Sequence, residues 1–380
     1  MHESGFLGNH SASPLVHVLR MVTCFIALQL LVTVAAGQVQ DLSHAKEVRG
    51  VWVHPSTFWS GKDTAILNIR KTLDDYRGAA INTLIVLVKS TSGLVYFKSA
   101  VAPRDSAWNW DFFGTFLEEA QKRKLSVQPW FCVFTEGARA GAVRQHPEWL
   151  IVSRSMEPTG VVNPALAAVR QYEISVITEL VKHYQVSWVH LDYIRYPCEP
   201  IEPYFSFDEE TRNQFKAKHG EDPLDIKHDN SGNMVWNEWI EWDAEHVTQF
   251  VRELRESLKF SRHRVQISAA VFPDAINAKV LIGQDWSLWA REHLIDMLCP
   301  MLYTNNDDLF VKYLRRAVGY AGPRVQVSAG IGIYSAHNLH TPAGIIRQIN
   351  LARREKAHGF VLFSSSSLKK EFLDAMKAAR

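Results

Sequence analysis

The chain has 380 residues, with 42 Lys and Arg against 40 Asp and Glu and a formal net charge of +2. That balance argues against a nucleic acid partner, because neutralising a phosphate backbone needs a dense excess of basic residues. A hydrophobic share of 47% with 22% charged residues is globular composition and excludes intrinsic disorder. Twelve tryptophans are many for this length and raise the question of flat apolar ligands.

Residues Met21 to Ala36 form an apolar run broken only by Thr23, Gln29 and Thr33. At about 1.5 Å per residue it falls short of the roughly 20 residues a bilayer span needs, so no stable membrane span is expected. Arg20 precedes it, and it ends in the small residues Ala35 and Ala36 followed by Gly37, the order of a secretory signal peptide. The expectation is a signal segment over residues 1–37 and a secreted or periplasmic mature chain. Beyond Cys24 only Cys132, Cys198 and Cys299 remain, a set with neither a disulfide framework nor a metal-binding spacing.

From about residue 47 strand-like and helix-like segments alternate. Arg49–Pro55 reads as a strand, followed by a helix over Asp63–Arg77. Ile81–Lys89 is a near-continuous apolar strand of the kind buried on both faces in parallel sheets. A helix near 111–124, the strand Leu125–Phe134 and a helix beginning at Pro164 behind an Asn163 cap follow. Val186–Arg195 is the fourth strand, and a long polar excursion over residues 198–235 comes after it. A helix over Trp236–Phe260 restores the rhythm. Strands then recur at 264–272, 295–303, 324–334 and 359–364, with helices near 280–292, 308–320, 342–357 and 369–378 between and after them. Eight such units predict a single-domain α/β fold, a (β/α)8 TIM barrel over residues 47–380. No GxGxxG follows a strand and no Walker A motif is present, so no cofactor is predicted.

In such a barrel the site lies at the carboxyl ends of the strands. Strand four ends in HLDYIRYP, presenting His190, Asp192, Arg195 and Tyr196; period two puts His190 and Asp192 on one side. Strand five ends near Asp274, strand six near Tyr303, strand three near Trp130 and Glu136, strand two at Lys89 and strand one at His54. Asp192 and Asp274 come from neighbouring strands, and paired carboxylates are what glycoside hydrolysis uses. Asp274 or Glu136 is the candidate acid. Trp59, Trp108, Trp110 and Trp130 would supply faces for sugar rings, which makes a polysaccharide or oligosaccharide the expected partner. Two other readings stay open: an inert glycan-binding barrel, and a metal-dependent hydrolase using His190 and Asp192.

The succession RGVWV, INTLIVLVK, LSVQPWF, HPEWL and VHLDYIRYP resembles the glycosyl hydrolase-like 10 family, with VHLDYIRYP the most specific element. The resemblance implies a TIM-barrel hydrolase acting on glycans, with Asp192 as nucleophile by similarity to alpha-amylase-like barrels. Those barrels carry a Glu at the end of strand five where this chain has Asp274. Lys89 stands where relatives carry Arg, keeping the charge without the planar fork.

Overall fold

In the computed structural model, which describes residues 46–137, 139–198, 206–226 and 234–379, eight parallel strands close on themselves. They are β1 (Val48–Val53), β2 (Thr83–Lys89), β3 (Ser126–Cys132), β4 (Trp188–Asp192), β5 (Gln266–Val271), β6 (Met297–Pro300), β7 (Gln326–Gly332) and β8 (Gly359–Phe363). Each strand pairs with its neighbours in chain order, and β8 returns to β1 with Gly359 beside Val48. The predicted signal segment lies outside the described residues. Among the described residues no helix is long and apolar enough to cross a membrane.

Helices follow each strand. They are α1 (Lys62–Gly78), α2 (Phe112–Lys122), α3 (Ala167–Tyr184), α4 (Glu209–His219), α5 (Met234–Leu258), α6 (Ala275–Ile282), α7 (Trp286–Arg291), α8 (Asp307–Ala321), α9 (Pro342–Arg354) and α10 (Lys370–Ala378). The excursion after β4 carries α4.

Strand alternation divides two cores. Val51, Val53, Leu84, Val86 and Val88 point outward into the large apolar layer beneath the helices. Trp52, Ile85, Leu87, Ala270 and Cys299 point inward and fill the lumen. Every residue of β2 is buried, because one face meets the helices and the other meets the lumen.

Two local expectations change. The helix expected from Pro164 begins at Ala167, because Asn163 is not its cap. The buried Asn163 side chain instead donates to Asp208 and Thr211, each at 2.9 Å, and accepts from the Ala165 amide. The helix expected over 280–292 is two helices, broken at Gly283 with φ 65°. A Cβ there would sit 2.9 Å from the Tyr196 ring, so glycine answers both the turn and the close approach. The HPEWL segment opens a small antiparallel hairpin, Leu150–Val152 against Pro158–Val162, within the long β3–α3 connection.

Candidate active site

β3 and β4 lie side by side with Trp130 opposite His190 and Cys132 opposite Asp192. Alternation sends Val189 and Leu191 to the outer core and turns His190 and Asp192 into the lumen. The two inward residues sit one layer apart, and their chemistry differs accordingly.

His190 occupies the deeper layer and is fully buried. The Trp52 indole can only donate, so Nε2 of His190 accepts its N–H at 3.1 Å. Nδ1 therefore carries the proton and donates to Ser268 Oγ at 2.8 Å; the Ser268 hydroxyl passes on to Gln128 Oε1 at 2.6 Å. Burial lowers the imidazole pKa to about 3, which keeps it neutral. This corrects the sequence reading twice over. With both ring nitrogens engaged, His190 neither reaches a substrate nor has a lone pair for a metal. Among the described residues no cluster of His, Cys, Asp and Glu is arranged to hold a metal ion.

Asp192 occupies the upper layer and closes β4. Its Oδ1 accepts the Tyr193 amide at 2.7 Å and Arg195 Nη1 at 3.2 Å. Tyr193, with φ 51°, makes the sharp turn that folds Arg195 back over the carboxylate. Burial pushes the Asp192 pKa up, while Arg195 and the Tyr193 amide pull it down. The Trp130 indole acts in the same downward sense, although its N–H makes no well-aligned hydrogen bond. Arg195 is held in turn by two rings, 4.2 Å above Tyr193 and 5.1 Å above Phe272.

Asp192 and Arg195 open into a cavity of about 350 Å³ at the barrel mouth, which His54, Trp130 and Tyr303 also line. These five predicted residues are brought together. The His54 ring meets Trp130 edge-on at 5.0 Å, and burial lowers its pKa. Tyr303 stacks on Phe363 at 5.3 Å; burial, with the Asp192 charge, holds its phenol in the protonated form. Tyr193 of the strand-four motif, Tyr96 and Phe363 complete the aromatic wall, and the last two were missed from the sequence. Phe363 ends an apolar strand and so reads as core, and nothing in the sequence marks Tyr96 as facing the mouth. Among the described residues, Asp192 is the only carboxylate lining this cavity.

The other predicted residues lie elsewhere. A register shift between Leu87 and Lys89 breaks the alternation of β2, so Lys89 leaves the lumen side and enters the layer between β3 and α3. There its fully buried ammonium donates to the carbonyls of Cys132 at 3.0 Å and Val133 at 2.8 Å. It also pairs with Glu136 at 2.5 Å and Glu173 at 3.1 Å. Burial opposes the charge of Lys89, but the two carboxylates outweigh it and raise the pKa. Burial raises the Glu173 pKa strongly, Lys89 opposes the rise, and the neighbouring Glu136 adds to it. Glu136, offered as an acid, is sealed in this cluster. Gly93 and Gly141, at φ 73° and 62°, cradle it so closely that a Cβ on either would fall within 2.2 Å of Oε2.

Asp274 is the N-cap of α6, accepting the amides of Ile276 at 3.2 Å and Asn277 at 3.0 Å, with Arg316 at 3.1 Å on its other oxygen. It does not line the cavity around Asp192. Tyr196 is buried away from the mouth and packed on Gly283, and burial, with the charge of nearby Asp243, raises its phenol pKa. Trp59 stands exposed outside the cavity, edge-on to Trp108 at 5.6 Å, and Trp108 itself is core.

A closed barrel of eight βα units, with a braced carboxylate and aromatic walls at its carboxyl face, defines a (β/α)8-barrel protein with an enzyme-like mouth. The chain belongs to the glycosyl hydrolase-like 10 family, whose profile matches residues 47–338. It is 22% identical over 375 residues to the glycosyl hydrolase YngK of Bacillus subtilis (strain 168), covering 86% of this chain and 69% of that protein. In three dimensions it is similar to the PgaB (BpsB) glycoside hydrolase domain from Bordetella bronchiseptica. That match has a TM-score of 0.69 and 12% identity, over 88% of this chain and 98% of that one. The catalytic domain of the beta-amylase from Paenibacillus polymyxa matches with a TM-score of 0.58 and 12% identity, over 88% and 98% of the two chains. At such identities these structures speak to the fold alone.

Proposed function

We propose that the chain is a glycoside hydrolase acting on an oligosaccharide or polysaccharide, with Asp192 at the reacting centre. The observation that carries this reading is the position of Asp192: at the end of β4, buried in an aromatic-walled mouth and braced through one oxygen by Arg195 and the Tyr193 amide. Fixing Oδ1 sets the orientation of the carboxylate and leaves Oδ2 clear of both bonds. Asp192 then attacks the anomeric carbon or stabilises the positive charge that builds there as the glycosidic C–O bond breaks. The leaving oxygen takes up a proton, and water supplies the hydroxyl that ends on the anomeric carbon. The aromatic walls exclude solvent and offer faces to the sugar ring. The signal-like segment at residues 21–37 supports export of the chain, and N-terminal sequencing of extracytoplasmic protein tests that part.

A second reading, a barrel that binds glycan without cleaving it, is favoured by one observation: the described part of the cavity presents a single carboxylate. Release of reducing ends from a glycan panel, by the wild-type chain and by Asp192→Asn, decides between the two. The asparagine keeps an oxygen to accept from Tyr193 and Arg195, so the fold should persist. Turnover should fall at least about a thousandfold, equal to ~4 kcal/mol of transition-state stabilisation. Undiminished turnover by Asp192→Asn sinks the hydrolase mechanism, and binding without release by the wild type establishes the second reading.

A further inference from the structure

At the amino end of the barrel, opposite the mouth, a cavity of about 290 Å³ opens between the ends of α3 and α5. Val181, Lys182 and Gln185 face it from the end of α3, and the segment leading from α5 into β5 adds Phe260, Ser261, Arg262 and His263. The two segments are tied together. Gln185, at φ 51°, closes α3 by donating its amide to the Val181 carbonyl at 3.0 Å, and His263 Nε2 donates to the next carbonyl, that of Val186, at 2.9 Å.

The polar lining has a surplus of donors. Thr178 and Ser257 spend their hydroxyl protons on the helix carbonyls of Ile174 and Glu253, each at 2.8 Å, and can only accept. The exposed Lys182 ammonium, Arg262 guanidinium and Gln185 carboxamide remain as donors. Among the described residues no carboxylate lines the cavity, and the acids at the end of α5 are engaged elsewhere. Glu253 pairs with Arg170 at 3.1 Å and Glu256 with Lys259 at 2.6 Å. Lys182, in the last turn of α3, offsets the helix dipole. Arg262 lies beyond the end of α5, and no partner among the described residues accounts for it. Beside these cations the Phe260 ring stands 91% exposed, forming with Val181 the apolar side of the cavity.

We infer that this cavity binds an acidic saccharide: a sugar ring that carries a carboxylate or a phosphate. A guanidinium fork takes either group through two bonds, with the ammonium and carboxamide close by for the remaining oxygens. The bare face of Phe260 suits the C–H face of the ring. A peptide fits less well. It would dock on an open strand edge or a broad apolar groove, and this sheet is closed while the cavity offers only two apolar side chains. The volume, just under the roughly 300–1,000 Å³ usual for ligand sites, suits a single ring. The site lies at the end of the barrel away from Asp192, so it holds an acidic glycan without placing it at the reacting centre, and it stands whether or not the barrel hydrolyses glycan.

Titration calorimetry on the full chain at low salt tests it. The probes are tetragalacturonate beside its methyl ester, which keeps the rings and removes the charge, and glucose 6-phosphate beside glucose. Whichever acidic probe binds tells carboxylate from phosphate. At least one should bind about tenfold or more tightly than its uncharged counterpart, the scale of one charge-assisted contact. Its affinity should fall about tenfold in Arg262→Glu and about three- to tenfold in Phe260→Ala. It should be unchanged in Asp192→Asn. Arg262 and Phe260 are both exposed, and circular dichroism checks that the fold is kept. Binding of neither acidic probe, equal binding of charged and uncharged forms, or indifference to Arg262→Glu or to Phe260→Ala overturns the inference. Loss of binding in Asp192→Asn also overturns it, since the sugar would then sit in the mouth. Tetraglutamate bound more tightly than either acidic sugar would make this a site for acidic peptide instead.

Discussion

Arg195 lies 3.2 Å from Asp192, three residues back along the chain, and the turn between them is made by Tyr193 in a left-handed conformation. The same tyrosine supplies the amide that bonds Asp192 Oδ1 and the ring beneath the guanidinium. One four-residue segment thus sets the direction, the charge balance and the rigidity of the carboxylate. The planar guanidinium is needed because it bonds Asp192 at its edge while its faces meet Tyr193 and Phe272.

Arg195→Lys should therefore move the pH profile. Burial already raises the Asp192 pKa and Arg195 opposes the rise. A lysine keeps the charge but not the stacked placement, so the pKa climbs further. The role proposed for Asp192 needs its ionised form, so the acidic limb of kcat against pH should shift to higher pH with a lower plateau. An acidic limb that stays in place would show that Arg195 does not tune Asp192.

Lys89→Met should destabilise the fold without removing a substrate contact. It leaves Glu136 and Glu173 buried around an apolar side chain, and breaking a buried ion pair on one side costs about 3–5 kcal/mol. Urea unfolding followed by tryptophan fluorescence measures this. Lys89→Arg should also lose stability, because the compact ammonium meets two carbonyls and two carboxylates in a space closed on every side.

His190 should remain neutral, protonated on Nδ1, from pH 7 to pH 5, which nitrogen-15 NMR of labelled protein can read. The folded-state pKa of about 3 lies below the unfolded value of 6.5. Between those values the unfolded chain binds more protons, so this residue's contribution to stability is fully present above about pH 6.5 and declines as pH falls toward 3. His190 titrating near 6.5 in the folded protein would show that its buried network does not form.

A chelator should leave glycan turnover unchanged, since the H-x-D pair that suggested a metal has its histidine engaged by Trp52 and Ser268. Loss of turnover with chelator, restored by a divalent cation, would contradict this arrangement.

Trp59→Ala should leave the melting temperature within a degree or so and weaken binding of long oligosaccharides about three- to tenfold, the scale of one ring contact. Trp59 is 62% exposed, so little of its surface supports the core. Titration calorimetry with oligosaccharides of increasing length separates a rim contact from a purely structural ring.

The architecture was legible in the sequence, because a parallel barrel buries its strands on both faces and writes each as a short apolar run between helical segments. Ile81–Lys89 announced β2, and VHLDYIRYP announced both β4 and Asp192. Alternation also placed His190 and Asp192 on the lumen side. It carries no depth, however, and depth makes one a neutral strut in a hydrogen-bond network and the other the carboxylate of the mouth. Lys89 and Glu136 were misread for a related reason. A single register shift in β2 turned Lys89 outward, and a loop closed by Gly93 and Gly141 brought Glu136 to it. Asp274 stands at a strand end in sequence but serves α6 as its cap, since the nearest amides claim its oxygen first. The sequence by itself determined the barrel and the strand end that carries Asp192, through local patterns of polarity. Which side chains share one cavity was decided only by the closure of the sheet, because β1, β3, β4, β6 and β8 meet at the mouth across separations that no local pattern encodes.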